Sequence, residues 1–183
     1  MQEKDKDILE KLKEDCRFSG NILPYTVKKG ESYRPEDAVI YRLSIKNKDF
    51  IQNLAEKGVV AHREEAHFPY EFVPEEFYID FIRGYFDGNG SISYPKEKGV
   101  KCLLVTICGG TNIVKDISEI INEKFGYKVI YHYRKKENPK NISAYFCSNH
   151  QERVELLGIL YEYAPVYLNR KYEKYKEVLS LLK

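Results

Sequence analysis

Between positions 77 and 92 the chain reads Phe-Tyr-Ile-Asp-Phe-Ile-Arg-Gly-Tyr-Phe-Asp-Gly-Asn-Gly-Ser-Ile, and few folds can accept that string. Its spacing predicts an amphipathic helix that runs into a Gly-rich turn and then into an alternating strand. Gly84 and Gly88 lie four residues apart, so they share one helical face and leave it without side chains. Each glycine costs a helix about 1 kcal/mol relative to alanine. A helix that carries two on one face is expected to use it for close approach of another backbone, with Phe81 and Tyr85 beside the contact. Small-xxx-small spacing serves that purpose in membranes, but this helix is too short and polar to span one. Asp87 and Asn89 fall at the helix end, where an acidic group opposes the dipole and needs a reason to be there.

The 183 residues are enough for a substantial core, and no apolar run approaches the length of a bilayer span. The opening Met-Gln-Glu-Lys-Asp-Lys-Asp is too charged for a secretory signal. Cys16, Cys102, Cys108 and Cys147 show no paired short spacing, which reads as reduced thiols and a cytoplasmic protein. Sixteen tyrosines without tryptophan, beside many Lys and Glu, suit a heat-adapted protein. A net charge of +2 does not by itself point to nucleic acid. Its distribution says more: Lys28-Lys29, Lys96/Lys98/Lys101 and Arg134-Lys135-Lys136 with Lys140 fall at predicted loops and strand ends.

Several local signals take plainer readings. His62, His67, His132 and His150 have no metal-ligand spacing. An EF-hand beginning at Asp87 fails, because Ile92 takes the glycine position and Lys98 the bidentate acid. Cys108-Gly-Gly-Thr-Asn112 lacks the Gly-Lys-Ser/Thr ending of a phosphate loop, and Thr111 or Asn112 as a helix N-cap accounts for it.

Compared with itself, the chain repeats a pattern at a shift of about one hundred residues. Residues 4–21 and 113–129 both read as helix then strand, and residues 38–59 parallel 142–160, with Tyr41 falling on Tyr145. Ile8, Leu9 and Leu12 mark the first helix; Ile113, Ile117, Ile120 and Ile121 mark its counterpart. Strands are expected at 41–46 and 145–148 from their alternation. Ahead of Ile113 stand the glycine-marked helix, a strand at 90–94, a turn at 95–99 and a strand at 100–108. Nothing comparable precedes Lys4, so the first half reads as one helix and one hairpin short. The expected division is an incomplete first repeat at 1–74 and a complete second one at 75–183.

Ile82-Arg-Gly-Tyr-Phe-Asp-Gly-Asn-Gly90 followed by Ser-Ile resembles the LAGLIDADG motif of homing endonucleases. The resemblance implies an α+β fold of two αββαββα repeats whose antiparallel sheets saddle double-stranded DNA, the first repeat here being truncated at its N-terminal side. It implies two motif helices packed along their small residues, so the lone helix would pair with a second copy as a homodimer, or with a complementing fragment. In the family the acid at position eight binds the Mg²⁺ that cuts DNA. That position is Asn89 here, which keeps the shape without the charge. Asp87 is the remaining acid and a weak metal candidate. Lys171, in Ala164-Pro-Val-Tyr-Leu-Asn-Arg-Lys171, falls where the family has a lysine near the scissile phosphate. No lysine aligns at the equivalent 58–69 stretch of the first half, where Arg63 precedes Glu64 and Glu65.

The catalytic set Asn89, Lys171 and Asp87 therefore reads as eroded, while DNA binding is expected to survive. The candidates to face DNA are Arg42, Ser44 and Lys46 in the first half, and Ser91, Ser93, Lys101, Thr106, Tyr131, Tyr133 and Ser143 in the second. Arg134, Lys135 and Lys136 are candidates for phosphate contact. Two other functions stay open on the sequence: an active Mg²⁺-dependent endonuclease or nickase, and a non-catalytic regulator or maturase-like RNA-splicing helper.

Overall fold

The computed structural model describes residues 1–30, 36–59, 65–94, 96–97, 100–133, 141–146 and 149–181. It is a mixed α+β chain that divides into two compact units. One is Met1–Ile51 with Leu168–Arg170, the other Gln52–Tyr167 with Lys171–Lys183. None of the described helices is long and apolar enough to cross a membrane.

The first unit opens with a 3-10 turn at Glu3–Asp5, then α1 (Lys6–Asp15), β1 (Ile22–Val27), β2 (Ala38–Leu43) and the start of α2 (Lys48–Glu56). β1 and β2 form an antiparallel pair with Ile22 opposite Leu43 and Val27 opposite Ala38. Pro24 suits β1 because an edge strand needs no donor on its outer side. On the other side of the hairpin Met1 exchanges backbone bonds with Tyr41 at 2.7 and 2.8 Å. The unit is thinly packed. α1 buries none of its residues, and Leu12 stays 47 % exposed, because a two-stranded hairpin offers a helix little apolar surface. β2 ends at Leu43, short of the strand expected to reach Lys46.

The second unit holds the core. From α3 (Tyr78–Asn89) the chain passes through β3 (Gly90–Ser93), the short β4 (Lys96–Glu97) and β5 (Val100–Lys101), and β6 (Leu104–Gly110). It continues through α4 (Thr111–Phe125), β7 (Val129–Tyr133), β8 (Asn141–Phe146), α5 (His150–Tyr161) and, from Lys171 on, α6 (Asn169–Ser180). Four strands form one antiparallel sheet in the order β3-β6-β8-β7. α3 and α4 pack on its apolar face, and α3 also meets α5. Ile82, Phe86, Val105, Ile107, Ile117, Ile121, Ile142, Phe146, Leu157 and Tyr161 fill the shared core. The helix expected from Ile113, Ile117, Ile120 and Ile121 is present as α4, and all four residues are buried.

Three local expectations need correction. The glycines after Phe86 make no turn: α3 continues through Gly88 and Asn89, and Gly90 enters the strand directly at φ −89°, ψ 168°. The strand expected to begin at 145 begins earlier, at Asn141, and positions 147–148 lie outside the described residues. Neither Thr111 nor Asn112 caps α4; its N-cap is Gly110, with no side-chain bond. Its other end follows common chemistry, with Gly126 at φ 71° donating to the Asn122 carbonyl. Asn149 caps α5 by accepting from the Glu152 N–H at 2.9 Å.

Candidate nucleic-acid interface

Strand parity sorts the sheet into two faces. The register sets Gly90, Ile107, Ala144 and Tyr131 in one row across β3, β6, β8 and β7. Ile92 stands opposite Val105, and Val129 opposite Phe146. These residues belong to the face packed under the helices. The opposite face carries the row Ser91, Thr106, Tyr145 and Ile130, and beside it the row Cys108, Ser143 and His132. Ser91, Ser93, Ile130 and His132 on that face are exposed, and Thr106, Cys108 and Tyr145 are half-buried.

Four sequence candidates, Ser91, Ser93, Thr106 and Ser143, thus share one face, where Ser91 and Ser93 are exposed, Thr106 is half-buried and Ser143 is buried. Tyr131 and Tyr133 do not join them. Tyr131 lies in register with Ala144 and Tyr133 with Ile142, and Tyr131 packs on the core. Tyrosine alternates with an equally plausible partner set in Val-Ile-Tyr-His-Tyr, so the parity of this strand depends on its neighbour. The structure puts Ile130 and His132 on the polar face, together with Tyr145 and Cys108, none of which the sequence marked as facing DNA. His132 meets the Tyr145 ring edge-on at 4.7 Å between centroids. Cys108 Sγ and Ser143 Oγ are hydrogen-bonded at 3.1 Å.

The remaining DNA-facing candidates scatter. Arg42 is exposed on β2 with its guanidinium 3.5 Å from the Tyr25 ring centroid, a cation–π pairing. Ser44 and Lys46 are exposed but lie past the end of the strand, so they have no strand parity. Lys101 ends β5. Arg134, Lys135 and Lys136 lie outside the described residues.

Along α3 the two glycines and their flanking aromatics part company. A Cβ built on Gly84 or Gly88 meets nothing within 4 Å, so that face stays open within the described chain. Phe81, expected beside a helix pair, instead stacks edge-on against Phe68 at 4.7 Å. Tyr85 reaches inward, and its hydroxyl covers Gly109 so closely that a Cβ there would lie 2.0 Å from it. Phe68 itself is held by Asp116 of α4, which accepts from the Phe68 N–H at 2.8 Å and contacts His67 Nδ1 at 3.0 Å.

The proposed catalytic residues occupy three unlike environments. Asn89 is exposed as the last residue of α3. Asp87 is buried and accepts a hydrogen bond from the Tyr161 hydroxyl at 2.7 Å, which supplies the reason for an acid near a helix C-terminus. Lys171 is only 3 % exposed, and its ammonium donates to the Phe86 and Gly90 carbonyls, the latter at 2.7 Å. Arg83 of α3 is also buried. It donates from Nε to the Val166 carbonyl at 2.9 Å and pairs with Asp80. Among the described residues no group of three or more His, Cys, Asp and Glu side chains is placed to hold a metal ion. Within one chain the end of α3 offers an amide and one occupied carboxylate, a poor fit to the hard anionic oxygens that Mg²⁺ prefers.

No model of a known protein family matches the chain, and no curated protein is significantly similar to it in sequence.

Proposed function

We propose that the protein binds double-stranded DNA in the manner of LAGLIDADG homing endonucleases and that its strand cleavage is impaired or lost. The observation that carries the reading is the parity of the four-stranded sheet. One face is committed to the core, and the other presents Ser91, Ser93, Thr106, Tyr145, His132 and Ile130. The major groove admits extended strands, and its base edges are read by short hydroxyls and by apolar contact with thymine methyl groups. By register, the end of β3 and the start of β6 lie at one end of the sheet, and the end of β7 and the start of β8 at the other. The first connection contains Lys96, Lys98 and Lys101 in sequence, the second Arg134-Lys135-Lys136 and Lys140. Basic residues in these two stretches of sequence suit phosphate contacts.

Element order supports the same reading. From α3 to α5 the main elements run helix, strand, strand, helix, strand, strand, helix, with β4 and β5 as a small addition. α1, β1, β2 and α2 repeat the order of α4, β7, β8 and α5. The open Gly84/Gly88 face is where a second copy, or a fragment carrying another motif helix, would pack. Asn89 is the residue that argues against cutting, because an amide carries no charge to attract a divalent cation.

The test incubates the protein and its Asn89→Asp variant with a randomised duplex library in Mg²⁺, followed by sequencing of retained and cut fragments. A retained consensus without cuts, and cutting gained by the variant, is the expected result. Cutting by the parent makes it an active nuclease and refutes the lost-cleavage part. No enrichment by either protein refutes DNA recognition. Thr106→Glu on the polar face should abolish retention while leaving the circular dichroism spectrum unchanged.

A further inference from the structure

The junction between α3 and β3 is closed by a buried cation that the DNA-binding reading does not use. A helix end leaves carbonyls without intrahelical donors. At the end of α3 the Gly90 N–H returns to the Phe86 carbonyl. The Lys171 ammonium, supplied from α6, donates to that same carbonyl and to the carbonyl of Gly90. The two carbonyls stand on either side of Asn89, one in the last helical turn and one at the first strand residue. The ammonium also lies 4.7 Å from the Phe86 ring centroid. Gly90 completes the joint, since a Cβ there would fall 2.3 Å from the same ring. A positive charge suits the partial negative end of a helix. An ammonium with three donors and no acceptor can satisfy two carbonyls at once.

From this geometry we infer that Lys171 is a positioning residue: it fixes the angle at which α3 passes into β3, and so the placement of Asn89 at the helix end and of Ser91 on the nucleic-acid face. A lysine whose task was to contact phosphate would need its head group in solvent. This one is 3 % exposed, with its ammonium on backbone carbonyls. Ser91 follows Gly90 directly and points to the polar face, so a change in the Gly90 peptide tilts the strand that carries Ser91 and Ser93. The consequence for DNA rests on the reading above; the clamp itself does not.

Lys171→Met, which keeps an apolar stem and removes the donors, gives the test through two independent measurements. In the DNA-free protein, amide exchange at residues 90–92 should accelerate about tenfold or more while the centre of α4 stays protected, as expected for a local opening. In binding to the selected duplex, affinity should fall and preference should blur at the bases served by β3, with the salt dependence unchanged. A lost phosphate contact would instead lower the slope of log K against log salt by about 1 and spare the junction amides. That pair of results overturns the inference, as does unchanged exchange at 90–92 in a folded variant. If Lys171→Met does not fold, Lys171→Gln, which retains one amide donor, carries the same exchange measurement. If the parent retains no DNA, the DNA-binding reading falls while the exchange arm still decides the clamp.

Discussion

Gly109 gives a prediction whose size follows from the geometry. It lies on β6 opposite Ile142, and its backbone is not in the left-handed region, so alanine is conformationally acceptable. The obstacle is steric. A Cβ would lie 2.0 Å from Tyr85 Oη, 3.2 Å from Tyr85 Cζ and 3.4 Å from Val114 Cγ2. Val114 is fully buried and cannot retreat, so the Tyr85 ring has to move by more than 1 Å from its place against the core. Overpacking of this kind costs about 1–3 kcal/mol. Replacing glycine by alanine returns about 0.4–1 kcal/mol through the unfolded chain. Gly109→Ala should therefore lose roughly 1–2 kcal/mol, with Tm falling about 2–4 °C for each kcal/mol in a chain of this length. Tyr85→Phe removes the atom at 2.0 Å and leaves only the tight but tolerable ring-carbon contact. Urea unfolding of the four proteins closes a double-mutant cycle, and the pair should show about 1 kcal/mol or more of favourable coupling. Additive effects, or a Gly109→Ala protein as stable as the parent, would refute the argument that Tyr85 and Gly109 share one space.

Four further outcomes follow from the same coordinates. Tyr161→Phe takes a hydrogen bond from the buried Asp87 carboxylate and should cost about 1.5–3 kcal/mol; an unchanged urea midpoint counts against that bond. Asp116→Ala leaves the Phe68 N–H without its acceptor in a residue only 2 % exposed. About 1–3 kcal/mol of stability should go with it, and exchange of the Phe68 amide should rise, whereas full protection of that amide would argue for another acceptor. His132→Ala should leave the melting temperature unchanged and weaken DNA retention, and Tyr131→Ser should do the reverse, since the two residues lie on opposite faces of β7. Lys124 holds the Glu75 carboxyl below its ordinary value of 4.5, first through their hydrogen bond and then through charge. A depressed carboxylate contributes stability above its unfolded value and loses it as pH falls through the folded one. A carbon-detected NMR titration should therefore find Glu75 titrating below 4.5 and returning towards that value in Lys124→Met; identical midpoints in both proteins would contradict the pairing.

The elements that were legible in advance are those whose signal is local. α4 could be read from Ile113, Ile117, Ile120 and Ile121 because one apolar stripe at helical period has a single way to be buried. The same kind of stripe predicts a helix ahead of Gly88, though not its continuation through Asn89, and strand alternation points to Ser91, Ser93 and Thr106. α1 shows the limit of that logic: Ile8, Leu9 and Leu12 predict a helix, and the helix forms, but nothing in its own pattern says how much surface its neighbours provide. Local pattern likewise cannot say where β2 stops, because Ser44 alternates as well as the residues inside the strand.

Local pattern alone thus carries an α+β chain, its main helices, and a hydroxyl-rich strand set beside a glycine-marked helix. Which side of β7 faces outward is settled by long-range pairing, because parity is inherited from β8 and a shift of one residue exchanges Tyr131 for His132. Long-range packing alone moved Phe81 and Tyr85 off the glycine face, through contacts with Phe68 and Gly109 that come from distant segments. It alone turned Lys171 inward, since whether a lysine on a polar helix meets solvent or two backbone carbonyls depends on where another helix happens to end.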